Sequence, residues 1–228
     1  MIAQVVAEVY SYSILESTLN YCVVIGKLLL RIANMGRVKI FSEPEVLAKA
    51  MRLFWKQGYS NTSLKQLLEV MEMKNGSFYH CFKDKQTIFL KSLEYYNQEI
   101  TYKRLEALNR HDDFSLGIRA LFAEVFKTFE SKDEPNGCLI VNSMVDEVLG
   151  EEKLKVFLSQ GFEQFVIFIT DRIQLAIDLD HLSTHLSAKQ LAFIIVTYIQ
   201  GLSRVSNINI DIEQLKDQTN DFLKAFNV

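Results

Sequence analysis

Only nine glycines and two prolines punctuate the 228 residues of this chain, and that scarcity constrains the fold more than any other feature. A sandwich or barrel needs many tight turns built from such residues, so an all-β architecture is excluded and helices are expected to dominate. Apolar residues make up 49% of the chain and charged residues 23%, which suits one or two globular domains with a core large enough to fold alone. The expected fold class is all-α.

Charge is unevenly spread. Residues 1–34 carry two basic and two acidic residues, Met35–Leu108 carry 12 and 8, and the remainder carries 11 and 18. A locally basic segment joined to an acidic one points to a polyanion-binding module beside a body with another task. Cys22, Cys81 and Cys138 are an odd number without the paired spacing of a metal clip or disulfide framework, which suits a reducing cytoplasm. The apolar run Tyr21–Ile32 is broken by Lys27 and Arg31; it is shorter than the ~20 residues of a membrane span and lacks the flanks of a signal peptide. The expectation is a cytoplasmic protein with no membrane association.

Residues 1–34 show no clearly capped helix, and Met35-Gly36-Arg37-Val38-Lys39 opens a basic lead-in. The segment reads as an extension upstream of a start at Met35; the alternative is a helix around Ser11–Arg31 packed on the body. From Ser42 the signals sharpen. Ser42 and Glu45 form a capping box with Pro44 in the first turn, opening a helix over Glu43–Gln57. Its apolar stripe is Val46, Leu47, Ala50, Met51, Phe54 and Trp55, and Gly58 stands where a left-handed cap is wanted. Thr62 is expected to cap a short helix, Ser63–Met71. A third, about Lys74–Cys81, places Phe78 and Phe82 inward. Asp84 caps a long fourth helix running to about Leu108. Two short helices joined by a tight turn and braced by a longer one make a helix-turn-helix, whose second short helix enters the major groove of DNA.

Longer helices follow: Leu116–Phe129, an apolar segment Cys138–Leu149 ended by Gly150, and Glu151–Asp178. A capping box of Ser187 and Gln190 opens Ala188–Val205, and Ile212–Phe226 closes the chain. Leu191, Ile195, Tyr198 and Leu202 lie on the Ala188–Val205 helix, which has almost no polar face. A helix apolar all round must be covered on every side, so these four are expected to face a second copy of the chain.

The run Thr62-Ser63-Leu64 through Met73-Lys74-Asn75-Gly76-Ser77-Phe78-Tyr79-His80-Cys81-Phe82-Lys83-Asp84-Lys85 resembles the DNA-binding segment of TetR/AcrR-family transcriptional regulators. The resemblance extends over Gly36–Tyr95, and more loosely over Asn136–Asn142 and Leu191–Leu202. It implies a helix-turn-helix domain over 35–108 that includes the linking fourth helix, and a helical effector-binding and dimerisation domain over 109–228. It implies a homodimeric repressor, with double-stranded operator DNA and a small-molecule effector as partners.

The residues support this independently. Thr62 and Ser63 at a helix start offer hydroxyls and backbone N–H groups to a phosphate oxygen, or cap the helix. Lys74, Asn75 and Ser77 open the third helix, where Asn pairs with adenine and Lys with guanine. Gly76 removes a side chain that would hold the backbone off the DNA. Tyr79 and His80 would flank the groove, Lys83 and Lys85 would supply phosphate charge, and Arg37 and Lys39 would form a basic arm. Glu72 departs from the pattern, standing where the family usually has Gly. A glutamate at positive φ costs about 1 kcal/mol or more, and its charge would face phosphate unfavourably.

For the sensing half, Phe122, Phe126, Phe162, Phe165 and Ile169 are candidate walls of a hydrophobic cavity, with Asn142 as polar anchor. Cys138 follows Gly137 at the head of its helix, where a thiolate is stabilised; the alternatives are an electrophile or redox sensor and a small buried cysteine without such a role. No GxGxxG, GxxxxGK, HExxH or GxSxG occurs, so an enzyme is not expected. His181 and His185 are spaced for a shared metal but flank a Ser/Thr-rich connection. No metal or cofactor is expected. A helical protein-interaction module is the competing class, and it leaves the basic Lys74–Lys85 patch without a task.

Overall fold

The computed structural model describes residues 42–145, 148, 150–208 and 211–228. The extension over 1–34, Cys22 and the arm of Arg37 and Lys39 lie outside these residues.

The order is α1 (Glu43–Gln57), α2 (Leu64–Val70), α3 (Asn75–Phe82), α4 (Lys85–Tyr96), a π-helical turn (Asn97–Thr101), α5 (Tyr102–Asn109), α6 (Phe114–Glu130), α7 (Leu139–Asn142), α8 (Glu152–Asp178), α9 (Ala188–Val205) and α10 (Ile212–Ala225). Among the described residues there is no strand, and the all-α expectation holds.

The first three helices form because each has its own start and stop. The α1 stripe turns inward at Val46, Ala50, Met51, Phe54 and Trp55, and Phe54 meets Phe89 of α4 edge-on, 4.7 Å between ring centres. The cap of α2 is Ser63 rather than Thr62. The Ser63 hydroxyl accepts from the Gln66 amide, and Gln66 reaches back to the Ser63 N–H at 2.9 Å. Thr62 is fully buried and donates its hydroxyl to the Gly58 carbonyl at 2.6 Å; it pins the loop after α1. Phe78 and Phe82 anchor α3, and the Asp84 carboxylate accepts from the Thr87 N–H at 2.7 Å to open α4.

The body is built on α6, α8, α9 and α10. Ile118, Leu121, Phe122, Val125, Phe126 and Phe129 of α6 form one buried face against Val166, Ile169, Ile173 and Ala176 of α8. The capping box at Ser187 and Gln190 and the span of α9 are as expected. Its partners are not. Leu191, Ile195 and Leu202 lie inside the core of the single chain, at 0%, 0% and 6% exposure, and Tyr198 stacks on Phe222 of α10 at 3.8 Å. The cover expected from a second copy comes from α6, α8 and α10. A dimer face at Leu191, Ile195 and Leu202 is therefore corrected, while Tyr198 is half-buried. Within the expected apolar segment Cys138–Leu149, α7 covers Leu139–Asn142 and a turn follows at Ser143.

Candidate functional site

The face that α3 turns outward carries Lys74, Asn75, Gly76, Tyr79, His80 and Lys83, all exposed, with Ser77 half-buried. Phe78 and Phe82 point the opposite way, at 0% and 3% exposure, so the amphipathic split fixes which side chains meet a partner. Open space surrounds the Cα of Gly76; nothing in the fold itself excludes a side chain there. Lys74 occupies the α3 N-cap without a side-chain hydrogen bond to the helix, which leaves its ammonium group able to reach outward.

The turn before α3 has the cost expected of it. Glu72 adopts φ 54°, and its carboxylate accepts from Lys49 of α1 at 2.8 Å. The acid is thereby drawn toward α1, which answers the charge problem while the backbone strain stays. Lys83, at the turn into α4, also has positive φ, 63°. Lys85 differs from the free phosphate contact expected of it: its ammonium lies 4.4 Å over the Tyr59 ring, and burial pushes its pKa down. Ser63 is exposed, with its hydroxyl engaged by Gln66. Thr62 has no exposed side chain to offer a phosphate.

A second feature lies further along the chain. The π turn Asn97–Thr101 sets the pitch of the linking segment over 85–109. A regular helix with Tyr96 inward would carry Ile100 and Lys103 inward; one extra residue in the turn advances Thr101 and Arg104 to that side, and Ala107 and Leu108 are both buried beyond it. Arg104 is consequently 6% exposed, whereas Lys103 is on the surface. Asn97, Thr101 and Arg104 then form one wall of a cavity of about 60 Å³. Phe157, Leu158, Phe162 and Phe165 of α8 form a second wall, and Cys138, Ile140, Met144, Ile199, Gln200 and Ser203 complete it. Of the expected lining, Cys138, Phe162 and Phe165 are brought together here. Phe122 and Phe126 border a separate cleft against α10, Ile169 is sealed in the core, and the Asn142 amide oxygen accepts from Asn207 at 2.9 Å beside another cleft. Those four are corrected as walls of this cavity. Arg104, Gln200 and Ser203 were missed, because in sequence an arginine after a lysine reads as surface.

Hydrogen bonds join the cavity to the helix-turn-helix. The Tyr96 hydroxyl donates to Cys138 Sγ at 3.3 Å, and the Tyr96 ring meets Trp55 of α1 edge-on at 5.0 Å. The Trp55 indole N–H donates to the Asn136 carbonyl at 3.1 Å, and Arg52 pairs with Glu134 at 2.8 Å. Gly137 is needed between them: φ is 79°, and a Cβ would fall 2.7 Å from the Asn207 amide and 2.8 Å from the Ser203 carbonyl. Burial pushes the Tyr96 phenol pKa well above its ordinary value against the pull of Arg104. Burial opposes the Arg104 charge, and Tyr96 and Cys138 offset this, leaving its pKa raised.

Residues 46–91 match the family described as "Bacterial regulatory proteins, tetR family", and residues 117–221 match "Tetracyclin repressor-like, C-terminal domain". The HTH-type transcriptional repressor ComR of Escherichia coli strain K12 is 33% identical over 111 residues, 48% of this chain and 53% of that protein. The chain thus matches about half the length of this curated relative. A structure of a cysteine mutant of the regulator CifR with 26-base-pair operator DNA has TM-score 0.77 and 26% identity, covering 83% of this chain and 100% of CifR. Reduced E. coli NemR shares the fold, with TM-score 0.67 and 20% identity over 76% of this chain and 90% of that one. These families and relatives are regulators, not enzymes. With a helix-turn-helix and a helical body matched in turn by the two halves of one family, the chain belongs to the TetR family of transcriptional regulators.

Proposed function

We propose that the protein is a cytoplasmic homodimeric repressor that holds a palindromic or near-palindromic operator and releases it when a small hydrophobic effector enters the cavity. Asn75 and Lys74 would read base edges, with Lys83 and the backbone at the α4 start on phosphates. The operator complex described for CifR supports α3 meeting a duplex in the same way. Two copies would set their recognition helices about one helical turn apart, roughly 34–36 Å. For the dimer, the support comes from apolar side chains left exposed on and beside the last long helices: Ile167 and Leu175 of α8, Leu179 at its C-cap and Phe193 of α9.

One observation carries the release mechanism: the segment that continues from α3 into the body is itself a wall of the cavity, through its π turn. A ligand that favours one position of that wall shifts the spacing of the recognition helices. Effector and operator then oppose each other through one coupling free energy, typically ~1–3 kcal/mol.

Selecting bound fragments from random duplexes with the purified protein tests the reading. An enriched two-fold repeat with half-sites one turn apart is expected; enrichment of nothing over random DNA rejects it. The position of Cys138 in the cavity wall, receiving the Tyr96 hydroxyl, favours covalent sensing as a second reading. Comparing operator release by an electrophile in wild type and Cys138→Ser decides it, since equal responses exclude Cys138.

A further inference from the structure

The polar atoms of the cavity do not match its apolar walls. Arg104 is 6% exposed and Ser203 1%. Arg104 Nε, Ser203 Oγ and Gln200 Oε1 are buried without a hydrogen-bond partner, and all three residues line this one cavity. The guanidinium donates from Nη2 to Thr128 Oγ1 at 3.1 Å and lies against the Tyr96 hydroxyl and Cys138 Sγ, and among the described residues it forms no ion pair with a carboxylate. Arginine keeps its proton in proteins, so the charge cannot be shed by titration as a buried lysine would shed it. Tyr96, its neighbour, is held protonated by burial and supplies no negative charge. A charge buried in this way is sustained where a counterion joins it. A few water molecules would fit about 60 Å³ and would satisfy a hydroxyl and an amide; they would leave the guanidinium charge unbalanced.

We propose that the cavity takes an amphiphile with one carboxylate head and an unbranched apolar tail, the head paired with Arg104 and the tail between Phe157, Phe162 and Phe165. The inference rests on the reading of this cavity as the effector site and names the chemistry of that effector. The planar fork of the guanidinium fits a carboxylate, Ser203 donates its hydroxyl to the same group, and Gln200 turns either end of its amide to the head group. The tail explains the walls: three phenylalanines of α8 beside Ile140, Met144 and Ile199 offer no polar group to a longer ligand. A medium-length chain exceeds the present volume, so binding must separate α8 from the π turn. That movement is the one the proposed release mechanism requires.

Isothermal titration of the full chain with decanoate, decanol and decyltrimethylammonium, each below its micellar concentration, tests this. Decanoate is expected to bind at least about ten-fold tighter than decanol, and the cation not at all. Arg104→Met should remove the preference for decanoate over decanol, while Arg104→Lys should retain it; a preference that survives in Arg104→Met, or is lost in Arg104→Lys, overturns the pairing with the charge. Equal or tighter binding of decanol to the wild type overturns the proposal. So does a thiolate absorbance at neutral pH that vanishes in Cys138→Ser together with absent decanoate binding, since the counterion would then be internal. Operator release is read separately by fluorescence polarisation. Decanoate that binds with Arg104-dependent preference but leaves the operator held keeps this assignment and defeats the release mechanism; decanol releasing the operator while decanoate fails to bind defeats this assignment alone.

Discussion

At the scale of single residues, the turn between α2 and α3 shows how a local cost is tolerated. Glu72 keeps φ 54°, a conformation that costs a non-glycine residue roughly 1–2 kcal/mol, and the exposed Lys49 ion pair at 2.8 Å is screened by solvent and offsets little of it. Glu72→Gly and Glu72→Ala both remove the carboxylate, and only glycine removes the strain. The glycine variant should be the more stable of the two by about 1 kcal/mol in urea unfolding; equal midpoints would mean the turn relaxes for alanine. Asp84 gives a pH signature. Hydrogen bonds from the Thr87 N–H and the Thr87 hydroxyl hold its carboxyl below the usual value, so its contribution is present above the ordinary carboxylate pKa and is lost as pH falls through the folded value. Asp84→Ala should cost about 1 kcal/mol at neutral pH, and the difference from wild type should shrink as pH drops below about 4. A constant difference across acid titration of thermal melts would remove the charge from the cap.

At the scale of elements, the decisive feature is the amphipathic split of α3. Phe78 and Phe82 lock the helix down, and Lys74, Asn75, Tyr79 and His80 are left outward. Base and phosphate duties should then separate. Asn75→Ala should change preference among duplexes by about 1–3 kcal/mol at one position. Lys83→Ala should weaken all sequences similarly and reduce the salt slope by about one ion. Equal losses from both variants on specific and random DNA would show that α3 reads no bases. This division was legible from spacing alone, since a buried phenylalanine pair four residues apart fixes the opposite face of a short helix. Lys85 was not legible: nothing in its sequence neighbourhood reveals that the Tyr59 ring lies under its ammonium.

At the scale of the whole molecule, the last long helices carry two kinds of apolar residue that sequence cannot tell apart. Ile195 is sealed within the chain, while Ile167 and Phe193 are 52% exposed. Phe193→Arg should therefore give a folded monomer in sedimentation with unchanged helical circular dichroism. Ile195→Asp should instead lose cooperative melting, because a buried unpaired charge costs several kcal/mol. A Phe193→Arg protein that stays dimeric would move the interface elsewhere.

The class of fold, the spans of α1 and α9, the capping box of Ser187 and Gln190 and the inward phenylalanine pair of α3 follow from the sequence, because each depends on contacts within a few residues. Capping, amphipathic period and turn chemistry are local and leave their mark in order along the chain. Only the tertiary structure decided which faces of α9 are covered, that Ser63 caps where Thr62 pins, and that Arg104 enters the cavity. The first depends on α6, α8 and α10 meeting from distant parts of the chain. The last depends on one residue of π pitch at 97–101, which rotates every later side chain of the helix. Periodicity read across such a turn points to the wrong face, and so the charge at the centre of the cavity is visible only once the helix is built.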